Sequence, residues 1–433
     1  MPVANGVSGA FSRTLANGVE VIVLPVPHTR AVSIYLASRI GSGSECAEHN
    51  GVTHFVEHML FRDRSGQQAP IAIAIERLGG QINAATELEI TSVTAKVPVE
   101  SWEKALRLLS EMVHAPAMDD REIEKERLVI LDELAMLEDL PEEMARRALI
   151  SRLWPQHPFG REIAGSVSTV QKLTRDDLSE RAQHMFAGVN TVVAVAGSID
   201  PRSGLEVLEK EFDGFVSGRR QECPDFHGES RDADEPMLIG KEAEQAYFSI
   251  GGFVPGRRDP RRYAIDLLAA VLGAGFGSRL VQELRERRGL TYDIGADILQ
   301  AGQCGALTIE GSTDPSRLVD ALAVVFEQFD DVAVAGVTDE EVERARAYVV
   351  GALVRALEDS AVVAAWYARE VVLEPEACGP TDLIDRVSAI TPEEVNLAAR
   401  SIFMQGWPTL AVSGPPQEIA RISGKIQALA NGY

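Results

Sequence analysis

Residues 173–200 read LTRDDLSERAQHMFAGVNTVVAVAGSID, and residues 390–417 read ITPEEVNLAARSIFMQGWPTLAVSGPPQ. The second follows the first without a gap at an offset of 217: Thr174 meets Thr391, Phe186 meets Phe403 and Gly197 meets Gly414. Each copy has a threonine N-cap, an acidic first turn, an amphipathic helix and a short apolar strand that ends at glycine. Both copies stand at the end of a half-chain. A duplicated domain is the simplest account.

The join is visible too. Residues 217–235 read SGRRQECPDFHGESRDADE, polar, broken by Gly and Pro, and without a period. This predicts a linker between a domain at 1–216 and a second at 236–433. In the first half, Asn17-Gly18 between apolar runs signals a hairpin. AVSIYLAS reads as a strand, VTHFVEHMLF as a short helix and IAIAIERLGG as a helix stopped by Gly79 and Gly80. QINAATELEITSVTAKV alternates as a strand or hairpin does. Helical patterns cover about 100–114 and 119–153. The expected class is α+β: two homologous domains, each a mostly antiparallel sheet with helices packed on one face.

The chain has 433 residues, 45% apolar and 25% charged, with a formal net charge of −23. That length suits two cores, and the balance is that of a globular protein. Most of the surface would repel a polyanion, so nucleic acid is not an expected partner. No apolar run reaches the ~20 residues of a membrane helix. No secretion or transit signal is visible, so the expected compartment is the cytoplasm. Cys46, Cys223, Cys304 and Cys378 form no C-x-x-C pair, which argues against a cysteine zinc site or a disulfide framework.

Residues 51–60 read GVTHFVEHML. On a helix, His54, Glu57 and His58 share one face. The two imidazoles can aim at one point about 2.0–2.1 Å from a zinc ion. Glu57 beside them can hold a water and take its proton. This is the H-x-x-E-H order, the inverse of the common H-E-x-x-H. The bland alternative is a polar face on a buried helix, yet three such groups opposite Phe55, Val56, Met59 and Leu60 need a partner. A catalytic zinc takes three protein ligands and leaves one position open. The third can come from a distance. Residues 122–133, EIEKERLVILDE, form a carboxylate-rich helix in which Glu126 and Glu133 share a face, and Val129, Ile130 and Leu134 give it an apolar side. Alone, such a helix is usually a solvated surface.

Taken together, GVTHFVEHMLF, GGQINAATELEIT, ERLVILDE and SRLVQELRERRGLTY, in this order, make the chain similar to the pitrilysin/insulinase peptidases, the inverzincins. These include the mitochondrial processing peptidase and half-length bacterial enzymes. The resemblance spans nearly the whole chain. It implies that His54, His58 and Glu133 bind one zinc ion per chain, that Glu57 is the general base, and that Glu126 supports the site. Asp132-Glu133 departs from the two glutamates often found there, which makes Asp132 a competitor for the ligand. It also implies that Arg285 and Tyr292 grip the substrate backbone, with the tyrosine as a catalytic group that steadies an oxyanion; Arg287 and Arg288 compete for the arginine role. Asn83 and Ala84 fall on the family's edge strand, where a peptide lies as an added strand. GAGFGS at 273–278 follows a helical pattern rather than a strand, so its glycines are expected to end one helix and start another, not to cradle phosphate.

The family's working unit is a chamber of four such domains. With the zinc motif in one half and the Arg–Tyr pair in the other, the resemblance implies a homodimer that cleaves peptides or unfolded segments. A non-catalytic scaffold, or one half of a heterodimeric peptidase, is the alternative.

Overall fold

The computed structural model describes residues 9–62, 70–114, 116–221, 235–302, 304–404 and 409–430. The chain forms two compact units, neither continuous in sequence. One comprises Met1–Leu134, Glu162–Pro224 and Val354–Asp382; the other comprises Ala135–Arg161, Asp225–Leu353 and Leu383–Tyr433. The α+β expectation is met in both.

The first unit is built on six strands: β1 (Phe11–Thr14), β2 (Glu20–Pro25), β3 (Ala31–Ser38), β4 (Gln81–Thr86), β5 (Thr91–Pro98) and β6 (Thr191–Gly197). Their order is β1-β2-β6-β3-β5-β4. The second unit has β7 (Met237–Gly240), β8 (Ala246–Pro255), β9 (Thr291–Ala301), β10 (Cys304–Thr313) and β11 (Thr409–Gly414), in the order β7-β11-β8-β10-β9. Without β1 the two orders are the same, and in each the parallel pair is the equivalent one, β2 with β6 and β7 with β11. The sequence repeat is therefore a repeat of topology. Its cap is local chemistry: Thr174 accepts from the Asp177 N–H while Asp177 accepts from the Thr174 N–H at 2.8 Å, and Thr391 and Glu394 do the same, at 2.7 Å for the return bond.

Most helices lie on one face of each sheet. The first core joins Phe55 and Met59 of helix Val52–Leu60 to Leu106, Ile130 and Phe212. Among the described residues a single helix covers the opposite face, and it comes from the other half of the sequence. In the first unit it is Ser360–Leu373, packed on β3 and β6 through Ala364, Tyr367 and Ala368. In the second it is Pro141–Leu153, packed on β8 and β11. Gly251 of β8 permits that approach, since a Cβ there would stand 2.9 Å from the Leu149 side chain.

The long helical pattern at 119–153 is two helices, Asp120–Asp139 and Pro141–Leu153. Pro141 has no N–H to continue the first ladder and starts the second at its first position. Of the expected linker, 222–234 lie outside the described residues. Residues 217–221 are attached to the first unit: Val189 N–H donates to the Ser217 carbonyl at 3.0 Å and Asn190 Nδ2 to that of Arg219 at 3.0 Å. Among the described residues no helix is long and apolar enough to cross a membrane.

One half-buried acid on helix Arg262–Gly273 of the second unit sets a pH dependence. Burial raises the Asp266 carboxyl from 3.8 to about 6, and the nearby Arg262 charge opposes this only in part. The folded state thus holds a proton more tightly than the unfolded one. Stability is full below about pH 4, falls as pH rises to about 6, and stays lower above it. We expect Asp266→Asn to stabilise the protein at pH 8 by up to about 2–3 kcal/mol, with no gain at pH 4. Urea unfolding at the two pH values checks this; equal effects at both would contradict it.

Candidate metal centre and substrate-binding pair

The motif helix Val52–Leu60 is placed by buried polar contacts at its start. Gly51 precedes it at φ 94, and a Cβ there would stand 2.7 Å from the Ala164 carbonyl, so the position demands glycine. Glu45, buried, accepts the Gly51 and Thr53 N–H groups, each at 2.8 Å. Its carboxylate satisfies orphan donors at the positive helix end. Arg181 Nε donates to Thr53 Oγ1 at 2.9 Å, and its Nη2 donates to the Gly41 carbonyl at 2.9 Å and to Ser44 Oγ at 2.7 Å.

Three of the expected groups converge. The Nε2 atoms of His54 and His58 each lie 3.7 Å from Glu133 Oε2, and one donor atom from each residue lies within 4.8 Å of the others. Tetrahedral zinc with ligands at about 2.0–2.1 Å would separate them by about 3.3–3.4 Å, so each imidazole needs to close on Glu133 by only a few tenths of an ångström. His54 is buried, and its Nδ1 has no partner among the described residues. Burial, aided by the charge of His58, lowers its pKa from 6.5 to about 4. A neutral imidazole is the form that ligates. The Glu133 side chain is 42% exposed, which leaves one side of the cluster open. Asp132 is exposed and outside the cluster. The residues fit a zinc ion.

Glu57 shares the motif-helix face. Burial raises its carboxyl, and the Glu133 charge adds to this, while His58 and a hydrogen bond from Thr86 Oγ1, at 3.1 Å to Oε2, pull it back. Thr86 ends β4. Among the described residues this strand pairs only with β5 and so stands at the sheet edge, with Asn83 exposed and Ala84 half-buried on it.

Behind His58 lies a buried relay. Glu126 Oε2 sits 3.1 Å from His58 Nδ1, and Arg62 forms an ion pair with Glu126 and stands 3.5 Å from Glu122 Oε2. Lys125 reaches Glu122 at 2.5 Å. Glu126 accepting from Nδ1–H fixes the tautomer whose Nε2 lone pair faces Glu133. Arg62 aims the Glu126 carboxylate. Arg62 lies four residues beyond His58, just past the end of the helix, and that spacing is the signal for it in the sequence. Val129, expected on the apolar side, is instead 46% exposed, while Ile130 and Leu134 are buried. We expect Arg62→Ala to weaken zinc binding roughly 10- to 100-fold, as loss of a supporting partner does, and Arg62→Lys to weaken it far less. Competition with a chromogenic chelator reads this; an unchanged affinity in Arg62→Ala would remove Arg62 from the relay.

In the second unit Arg285 and Tyr292 also meet. Arg285 leaves a π-helical turn, Val281–Arg287, and its guanidinium carbon lies 4.8 Å from the Tyr292 ring centre. Tyr292, on β9, is 78% exposed. Arg287 is paired with Glu283, and Arg288 with Glu327 at 3.0 Å, so the two competitors are engaged elsewhere. Among the described residues the second unit keeps the fold and brings together no second group of metal ligands.

Comparison with known proteins agrees with this division. Residues 21–167 match the family model described as Insulinase (Peptidase family M16). Residues 172–349 match that described as Peptidase M16 inactive domain. A Mycobacterium tuberculosis H37Rv protein named an uncharacterized zinc protease is 32% identical over 96% of this chain and 95% of its own length. One of the same description from Bacillus subtilis is 30% identical over 92% and 97%. The fold matches a protease from Helicobacter pylori with a TM-score of 0.84 at 20% identity, over 94% of this chain and 99% of that one. It also matches a peptidase M16 inactive domain from Pseudomonas fluorescens, TM-score 0.82 at 20% identity, over 94% and 98%. The chain belongs to peptidase family M16, the insulinase family, at the length of its half-length bacterial members.

Proposed function

We propose that the protein is a zinc endopeptidase acting on peptides or unfolded segments. The observation that carries this is the convergence of His54, His58 and Glu133 with Glu57 beside them. Zinc held there would supply a Lewis acid that makes water a nucleophile near neutral pH and polarises the scissile carbonyl. Glu57 holds the attacking water, takes its proton and passes it to the leaving nitrogen. Its raised proton affinity suits both transfers, and Thr86 fixes one of its oxygens. The open edge of β4, around Asn83 and Ala84, receives an extended peptide as an added strand, so recognition rests on backbone groups. Arg285 donates to substrate carbonyls, and Tyr292 offers its hydroxyl to developing negative charge. The names of the zinc protease relatives support the peptidase reading.

The working form is a homodimer, in which each chain contributes one ligand set and one Arg–Tyr pair. Mixing Glu57→Gln with Tyr292→Phe protein tests it: restored activity is expected if the pair acts across protomers, and no restoration at any ratio speaks against sharing. A scaffold role draws on the inactive-domain match of the second half, but the ligand set lies outside that half. The peptidase reading is tested by digesting a library of unstructured peptides and reading the products by mass spectrometry. Internal cleavage is expected; no products at any zinc concentration would favour the scaffold.

A further inference from the structure

The loop between helix Arg262–Gly273 and the π-helical turn presents a side chain that none of the chemistry above employs. Phe276 is 71% exposed. The loop beneath it is built without room to spare: a Cβ on Gly273 would stand 2.0 Å from the Ala296 nitrogen, one on Gly275 2.9 Å from the Tyr348 ring, and one on Gly277 2.8 Å from Arg344 Cδ. Gly275 also takes φ +73. Gln282 Nε2 donates to the Phe276 carbonyl at 2.7 Å. The glycines of GAGFGS thus end one helix and begin the next, as their pattern suggests. They also let this backbone pack tightly while it holds an aromatic ring out. That ring lies beside the Arg–Tyr pair: the Arg285 guanidinium carbon is 5.4 Å from its centre and 4.8 Å from that of Tyr292.

We infer that Phe276, together with Arg285 and Tyr292, forms a subsite for a bulky apolar side chain of the substrate, aromatic or branched aliphatic. The inference rests on the peptidase reading above. Backbone recognition along a strand edge accepts any extended chain, so discrimination falls to side-chain subsites. A ring held by a fixed loop loses little freedom on binding and offers a large apolar face. The Arg285 charge is within cation–π range of two rings and its Nε is 3.5 Å from Glu286 Oε1, so the cluster does not present a bare cation to an acidic side chain. Its N–H edge remains suited to a backbone carbonyl next to the bound side chain.

The test uses matched peptides that differ at one position, Leu or Phe against Ala or Asp, with wild-type, Phe276→Ala and Phe276→Leu proteins. Phe276→Ala is expected to lower kcat/KM for the bulky peptides roughly 10- to 100-fold relative to the Ala peptide, and Phe276→Leu to restore most of it. An equal loss on every peptide would mean that Phe276 only steadies Arg285 and would overturn the subsite, as would no loss. Binding of the same peptides, fluorescently labelled, to Glu57→Gln protein with and without Phe276→Ala separates the two claims. No cleavage by wild type with a Phe276-dependent binding preference would sink the peptidase reading and keep the subsite. Binding without preference would sink the subsite.

Discussion

His58→Ala is expected to purify without zinc and without peptidase activity. His58 Nε2 is one of three donor atoms gathered within 4.8 Å, and its ring is braced from behind by Glu126. Two ligands remain, and one of them, Glu133, is partly exposed. The affinity loss should exceed the roughly 10- to 100-fold expected for a supporting residue and reach about 1,000-fold or more. Glu133→Gln should behave alike, since the amide keeps the shape and removes the charge, whereas Asp132→Asn should bind normally. Metal analysis of the dialysed proteins decides it. Zinc retained in full by both His58→Ala and Glu133→Gln would place the metal elsewhere.

Glu57→Gln is the second large effect, and it separates chemistry from metal binding. The new amide oxygen can still accept the Thr86 hydroxyl bond, but the side chain cannot take a proton. The turnover number should fall by roughly 100- to 10,000-fold, the contribution of a positioned general base, with zinc affinity close to that of the wild type. Peptide binding should persist, because the strand edge and the Arg–Tyr pair are untouched. A variant that lost zinc as well as turnover would make Glu57 a ligand instead of a base.

How far these groups could be foreseen depends on the range of the interaction that fixes them. The His54–Glu57–His58 face follows from helical spacing inside one helix. The capping boxes at Thr174 and Thr391 are equally local, and they mark the repeat. Glu133 stands 75 positions beyond His58; helical spacing leaves Glu126 and Glu133 equivalent, and only the fold turns one toward both imidazoles and the other toward the back of His58. The exchange of the two outer helices was not legible. Pro141–Leu153 has the apolar face that any sheet-covering helix has, and nothing in that face says which sheet it will cover. The restart at Pro141 could have been read, since proline at the first turn is a local signal. Phe276 was hidden for a different reason: an aromatic residue among glycines reads as a turn with one core anchor, and only tertiary packing shows the ring outside the core beside Arg285.

Whether the chain is a zinc peptidase is decided by peptide cleavage with metal-free protein titrated with zinc, the products read by mass. One zinc ion per chain is expected to restore internal cleavage, and Glu57→Gln titrated in parallel should bind the same single ion and stay silent. Equal cleavage by the metal-free protein, or by Glu57→Gln, would contradict a zinc mechanism with Glu57 as its base.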